Sequence, residues 1–249
     1  MKIKAITYVI HILKRIIEHP KILLDHRYYV MKLRFHFWPL IPKNFKKKIY
    51  IFDTEFNIEN DTFNGRGIYS YRELKDEQER DLIKDQIERN SVCIDIGSNV
   101  GFYSVFLLQN SIAKKVYAFE KNNKSFDLLL KNTKNLNCKQ IKGEVGINKG
   151  QVLVDDLLGL REKINFIKID IDGLDYYALK SCEKIIDKFK PKILIEISES
   201  SVRYHNISFL DVIEYLKQKN YECYYPNKNL IKFDKTYLEK DEVRNLYFK

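Results

Sequence analysis

The 249 residues suit one catalytic-size domain with an appendage, and 45% hydrophobic with 13% aromatic content excludes wholesale disorder. Lys and Arg outnumber Asp and Glu 44 to 34. Residues 1–50 hold twelve basic and two acidic side chains, while the other 199 residues carry 32 of each sign, so the basic excess belongs to an N-terminal segment. A protein that binds nucleic acid through its main domain would spread positive charge over that domain, so no nucleic-acid partner is expected.

Ile3, Ile6, Ile10, Leu13 and Ile17 share one face of a helix over 2–18, closed by Pro20. No run reaches the ~18 apolar residues of a membrane span, and no small-residue cleavage site follows the first apolar run. A basic, aromatic stretch from Tyr28 to Pro39 ends at Lys46-Lys47-Lys48. Residues 49–71, with a turn at Asn64-Gly65-Arg66-Gly67, read as a β-hairpin or meander, and 76–89 as an amphipathic helix.

From Val92 apolar strands alternate with helices: strands over 92–96, 115–119, 139–145, 165–169 and 192–197, helices over 101–109, 125–135, 155–161, 175–188 and 207–219, then late strands over 221–225 and 244–248. The alternation means βαβ units and a parallel sheet covered on both faces, with ligands at the carboxyl ends of the strands. Residues 1–71 read as a basic helical and hairpin extension, and 72–249 as a doubly wound α/β domain. Cys93, Cys138, Cys182 and Cys223 form no CxxC pair, which argues against zinc and against a disulfide scaffold. His11, His19, His26 and His36 fit no ligand spacing.

Asp95-Ile96-Gly97-Ser98-Asn99-Val100-Gly101 is a buried strand running into a glycine turn and a helix. The glycines allow close backbone approach, and the helix start offers N–H groups. Glu120, at the end of the next strand, is placed to accept hydrogen bonds from both hydroxyls of a ribose. The Gly97–Gly101 spacing is not the dinucleotide G-x-G-x-x-G, and no Walker loop is present. Further on, Lys168-Ile169-Asp170-Ile171-Asp172-Gly173 ends a strand in two carboxylates at i and i+2, which share a side if the strand stays extended. Glu196 closes another buried strand, and His205 follows it.

In order and spacing, 95–104, Ala118-Phe119-Glu120, Phe166–Gly173 and Ile195-Glu196-Ile197 resemble the FkbM family of S-adenosylmethionine-dependent methyltransferases over roughly residues 73–249. The resemblance implies a mostly parallel seven-stranded sheet of the class I methyltransferase type with a terminal antiparallel strand, and methyl transfer to a hydroxyl of a sugar, glycolipid or polysaccharide. It places Asp95, Gly97, Asn99, Gly101 and Glu120 along the S-adenosyl-L-methionine site, with Glu144 counted among them, and Asp170, Asp172 and Glu196 at the reacting end. His205 joins them as a candidate base, since a neutral imidazole suits that task near pH 7.

Lys121 stands where the family has Pro, Asp172 where it has Glu, and the stretch from Val145 to Asp155 is shorter than in the family. That shortening suggests an alternative, an inactive relative that still binds the cofactor; a NAD-dependent oxidoreductase is a further one. Asp170 with Asp172 could hold Mg²⁺, although two carboxylates specify no metal. Asp172 could instead cap the helix after it, and Asp155-Asp156 should cap the short helix they begin. The expected location is cytoplasmic, with residues 1–48 as a contact for an anionic membrane surface.

Overall fold

The computed structural model describes residues 26–249 apart from 41, 43–47, 59–62, 73–74, 172, 198–206, 227–228 and 234–243. The expected helix over 2–18, Asp172 and His205 lie outside the described residues. The chain divides into two compact units, residues 1–75 and 76–249.

In the first unit, helix α1 (His26–Phe37) precedes an antiparallel hairpin of β1 (Lys48–Ile51) and β2 (Thr54–Asn57), then α2 (Phe63–Tyr71). Phe52 and Asp53 turn the hairpin with positive φ at both positions (49° and 57°), the geometry that matches strand twist in a two-residue loop. The expected β-structure therefore stops at Asn57, and the glycine-bearing 64–67 segment is helical. Tertiary contacts override its turn-like composition: the Arg66 guanidinium donates to the Phe35 carbonyl from Nε (2.9 Å) and Nη2 (2.6 Å) and lies 3.8 Å from the Phe35 ring centre. Trp38 and Tyr69 meet edge to face at 5.0 Å, and Ile68 is buried.

The second unit opens with α3 (Glu77–Gln86), then β3 (Ser91–Ile96), α4 (Phe102–Gln109), β4 (Ala113–Glu120), α5 (Asn123–Asn132) and β5 (Cys138–Lys142). It continues with α6 (Val154–Leu158), β6 (Phe166–Ile169), α7 (Asp175–Lys180), α8 (Glu183–Phe189), β7 (Lys192–Ile197), α9 (Phe209–Gln218), β8 (Cys223–Tyr224) and β9 (Arg244–Phe248). The sheet order is β5-β4-β3-β6-β7-β9-β8, parallel except for β9, which runs against both its neighbours. This is the mostly parallel seven-stranded α/β sheet that the resemblance implies. Strands β3, β6 and β7 are apolar because helices cover both faces: Ile94, Ile96, Ile167, Ile169, Ile193 and Ile195 bury against Ala178, Leu179, Ile185 and Ile186. Cys93, Cys182 and Cys223 are free and buried, as their apolar settings suggest. No helix among the described residues is long and apolar enough to cross a membrane.

Two local expectations change. The helix expected over 175–188 breaks into α7 and α8 around Ser181-Cys182, where Ser181 Oγ donates to the Ala178 carbonyl and Asp155 N to the Ser181 carbonyl. Asp155 does not cap its own helix. Its carboxylate accepts from Lys184 N (2.7 Å) and Ile185 N (3.0 Å), satisfying the first turn of α8. Strand β5 ends at Lys142, which leaves Glu144 in the loop beyond it.

Candidate functional site

Strand β3 ends in a backbone reversal with three positive φ values: Gly97 (81°), Asn99 (50°) and Gly101 (89°). The turn is fastened to β4: Gly97 N and Ser98 N both donate to the Phe119 carbonyl at 3.0 Å. Glu120, 8% exposed, spreads its carboxylate between two loops, accepting from Asn99 N at Oε2 (2.9 Å) and from Asn122 N at Oε1 (2.6 Å). Each of those oxygens keeps a lone pair. Asn122 in turn caps α5 by accepting from Lys124 N and Ser125 N. No side chain caps α4.

The glycines serve the protein's own packing. A Cβ on Gly97 would sit 1.8 Å from the Asp170 carbonyl oxygen, and one on Gly101 2.9 Å from Leu129 Cδ1. The sequence reading assigned both to ligand approach; the contacts show that the close neighbours are the end of β6 and α5. The same contact brings Asp170 beside the elbow, helped by the bond from Asp170 N to the Ile96 carbonyl (3.0 Å).

Asp95 sits near the end of β3, on the face that α4 covers. It is 1% exposed, and its Oδ2 accepts from Ser104 Oγ at 2.6 Å, so it holds α4 onto the sheet. The strand period explains this: Ile94 and Ile96 share the α7–α8 face, and Asp95 points to the other. Its Oδ1 has no hydrogen-bond donor among the described residues, and burial pushes its carboxyl above the usual range against the pull of Lys168.

On that same face β3 and β6 register Asp95 against Lys168. Lys168 is 4% exposed; its Nζ donates to Asp170 Oδ2 at 2.7 Å and lies 4.4 Å from the centre of the Tyr103 ring. Burial opposes its charge, yet Asp170, Asp95 and Glu79 hold it protonated above the ordinary lysine range. The Tyr103 hydroxyl donates to Glu79 (2.5 Å), which also accepts from Asn245 on β9. Burial, reinforced by Asp76, raises the Glu79 carboxyl. Burial first, then the neighbouring Asp170, lifts the Glu196 carboxyl well above the usual carboxylate range. Four carboxyl groups thus gather about one ammonium, and the Asp170 side chain, 40% exposed, opens to solvent. Lys168, Tyr103 and Glu79 escaped the sequence reading. Lys168 stood inside the quoted motif, and its strand parity with Asp170 was the available signal.

Asp175 was missed as well. Its two oxygens accept from Ile171 N (2.9 Å) and Gly173 N (3.0 Å), which pins the loop after Asp170. Burial raises its carboxyl to about 6. The strand has already ended at Ile169, so Asp170 lies in the loop beyond it. Glu144 sits at the loop after β5, paired with Lys121 (2.9 Å) and bonded by Gln151; those two contacts lower its carboxyl. Among the described residues no three His, Cys, Asp or Glu side chains form a metal-ligand set.

Residues 140–223 match the model of the methyltransferase FkbM domain, so the resemblance read from the motifs holds. Residues 66–155 match that of the TRM5/TYW2 methyltransferase domain. No curated protein matches the chain. Among solved structures, methyltransferase FkbM from Methylobacillus flagellatus KT is 20% identical with a TM-score of 0.49, over 64% of this chain and 44% of that one. TYW2 of M. jannaschii, in complex with AdoMet, is 16% identical with a TM-score of 0.49, over 81% and 83%. TrmK of M. capricolum, in complex with S-adenosyl-homocysteine, is 18% identical with a TM-score of 0.42, over 68% and 65%. The chain thus spans less than half the length of the FkbM protein it resembles.

Proposed function

We propose that the chain is an S-adenosyl-L-methionine-dependent O-methyltransferase acting on a hydroxyl of a sugar, glycolipid or polysaccharide. The observation that carries this is the Asp170–Glu196–Lys168 cluster at the carboxyl ends of β6 and β7, packed on the glycine elbow through Gly97. The two methyltransferase-domain matches support the methyltransferase part of this reading.

The donor set fits the cofactor. Glu120 holds a lone pair on each oxygen for a vicinal diol, its orientation fixed by Asn99 N and Asn122 N. The uncapped start of α4 suits a carboxylate. When bound, the cofactor supplies an activated methyl group, and the protein's part is to hold the acceptor oxygen in line at ~3–3.5 Å and exclude water. A hydroxyl is a weak nucleophile, so a base worth ~10²–10⁴-fold is needed. Asp170 takes the hydroxyl proton as the oxygen–carbon bond forms. Lys168 keeps Asp170 oriented, and Glu196 stands beside it as a second carboxyl. Asp172 and His205 remain proposals for the same end, as does Mg²⁺ at Asp170 and Asp172.

Calorimetric titration with S-adenosylhomocysteine and with NAD, followed by turnover on a glycan panel, tests this. Binding of S-adenosylhomocysteine, its loss in Glu120→Ala, and turnover lost in Asp170→Asn with the fold intact are expected. Binding without turnover across the panel leaves the inactive relative, and binding of NAD alone makes the chain an oxidoreductase.

The charge of residues 1–50 supports a peripheral seat on the cytoplasmic face of an anionic membrane. The full-length protein should co-sediment with acidic vesicles at low salt, and deletion of residues 1–48 should release it.

A further inference from the structure

Within the second unit charge is segregated. Residues 113–150 carry nine lysines against Glu120, Asp127 and Glu144, while the rest of 76–249 holds twenty basic and twenty-four acidic side chains. Those residues build β4, α5 and β5, the open edge of the sheet.

Elsewhere in the unit six of the twelve described lysines have an acidic partner, Lys168 with Asp170 among them. Lys180 pairs with Glu183, Lys184 with Asp156, Lys190 with Asp187, Lys219 with Glu183 and Asp187, and Lys232 with Glu222. Along the edge, among the described residues, only Lys115 (to Glu162) and Lys121 (to Glu144) have ion-pair partners. The other seven are exposed and make no ion pair among the described residues; even Asp127, the one carboxylate on α5, pairs with none of them. Lys124 and Lys131 lie two turns apart on α5, one face of that helix. Lys142 lies over the Phe126 ring of α5 at 5.9 Å and registers opposite Glu120. The stripe therefore runs from Lys114, at the start of β4, to the end of the sheet where the elbow and Asp170 lie.

Uncompensated like charges raise the free energy of the isolated surface, and a partner that brings anions relieves it. The segment has no arginine, hence no planar fork for phosphate. Its exposed large apolar side chains are Leu130 and Ile147, so no aromatic platform offers a stack for bases. We infer that the β4–α5–β5 edge docks a carboxylated polysaccharide, the acidic chain whose hydroxyl is presented at Asp170; this rests on the glycan reading above.

The test uses the full chain and the triple variant Lys124→Glu, Lys131→Glu, Lys142→Glu, with polygalacturonate as probe and neutral dextran and poly(U) as comparisons. Polygalacturonate should bind and dextran should not. Affinity in the triple variant should fall at least tenfold, and the slope of log affinity against log salt should shrink by roughly 0.7 per lysine removed, as for counterion release at single-stranded polyanions. S-adenosylhomocysteine binding, measured on the same sample, should be unchanged. A control with Lys46, Lys47 and Lys48 replaced by Gln should bind polygalacturonate as the parent does. Equal binding by parent and triple variant, loss of binding in the control instead, or tighter binding of poly(U) than of polygalacturonate overturns the inference. The methyltransferase reading fails separately, on absent S-adenosylhomocysteine binding.

Discussion

The two halves of the candidate site solve the problem of a buried carboxylate in opposite ways. On the β3–β4 side Glu120 faces backbone amides, neutral dipoles that orient it and do not titrate. On the β6–β7 side Asp170, Glu196, Glu79 and Asp95 crowd one ammonium, so their protonation depends on each other. Fixed dipoles suit recognition of an unchanging group such as a diol. A cluster short of positive charge suits a step in which a proton moves. The contrast teaches that similar strand-end acids in a sequence differ in role according to what satisfies them.

The sharpest way to break the contrast is to remove the ammonium. Lys168→Met should destabilise the protein by about 3–5 kcal/mol in urea denaturation at neutral pH, because the carboxyls around it lose the counter-charge that the ammonium supplies. The loss should lessen at acidic pH, where the carboxyls take up protons. A pH-independent loss would mean that Lys168 contributes packing alone.

Next in size is Gly97→Ala, which tests whether the halves share one joint. The new methyl meets the Asp170 carbonyl in a backbone conformation L residues avoid, so about 2–4 kcal/mol of stability should go, with S-adenosylhomocysteine binding weakened. Unchanged calorimetry and melting would detach the elbow from Asp170.

Asp175→Asn sharpens the titratable side. The folded carboxyl titrates near 6, above its unfolded value, so the native state binds the extra proton. Stability from this group is greatest below about pH 4 and declines as pH rises to about 6, by roughly 2–3 kcal/mol. Subtracting the Asn variant's urea-denaturation profile over pH 4–7 should isolate that decline, and identical slopes would reject it.

The alternation of strands and helices was legible, because hydrophobic period reports directly on a parallel sheet, and the seven strands with one antiparallel followed from the family resemblance. The second-unit strands fall within a few residues of their expected spans. What was hidden depended on partners far along the chain. Arg66 turned a glycine-rich segment helical by reaching Phe35, Asp155 capped a helix thirty residues away, and Glu79 met Asn245 across 166 positions. At Asp95 the motif marks the residue type, while strand parity decides which face receives it.

The absence of a side chain at Gly97 has a further consequence. With the backbone of one loop resting on the carbonyl of the next, the distance from Glu120 to Asp170 is set by backbone atoms that have no rotamers to choose from. Sequence drift in the surrounding loops can thus alter the side chains nearby without loosening the spacing between those two carboxylates.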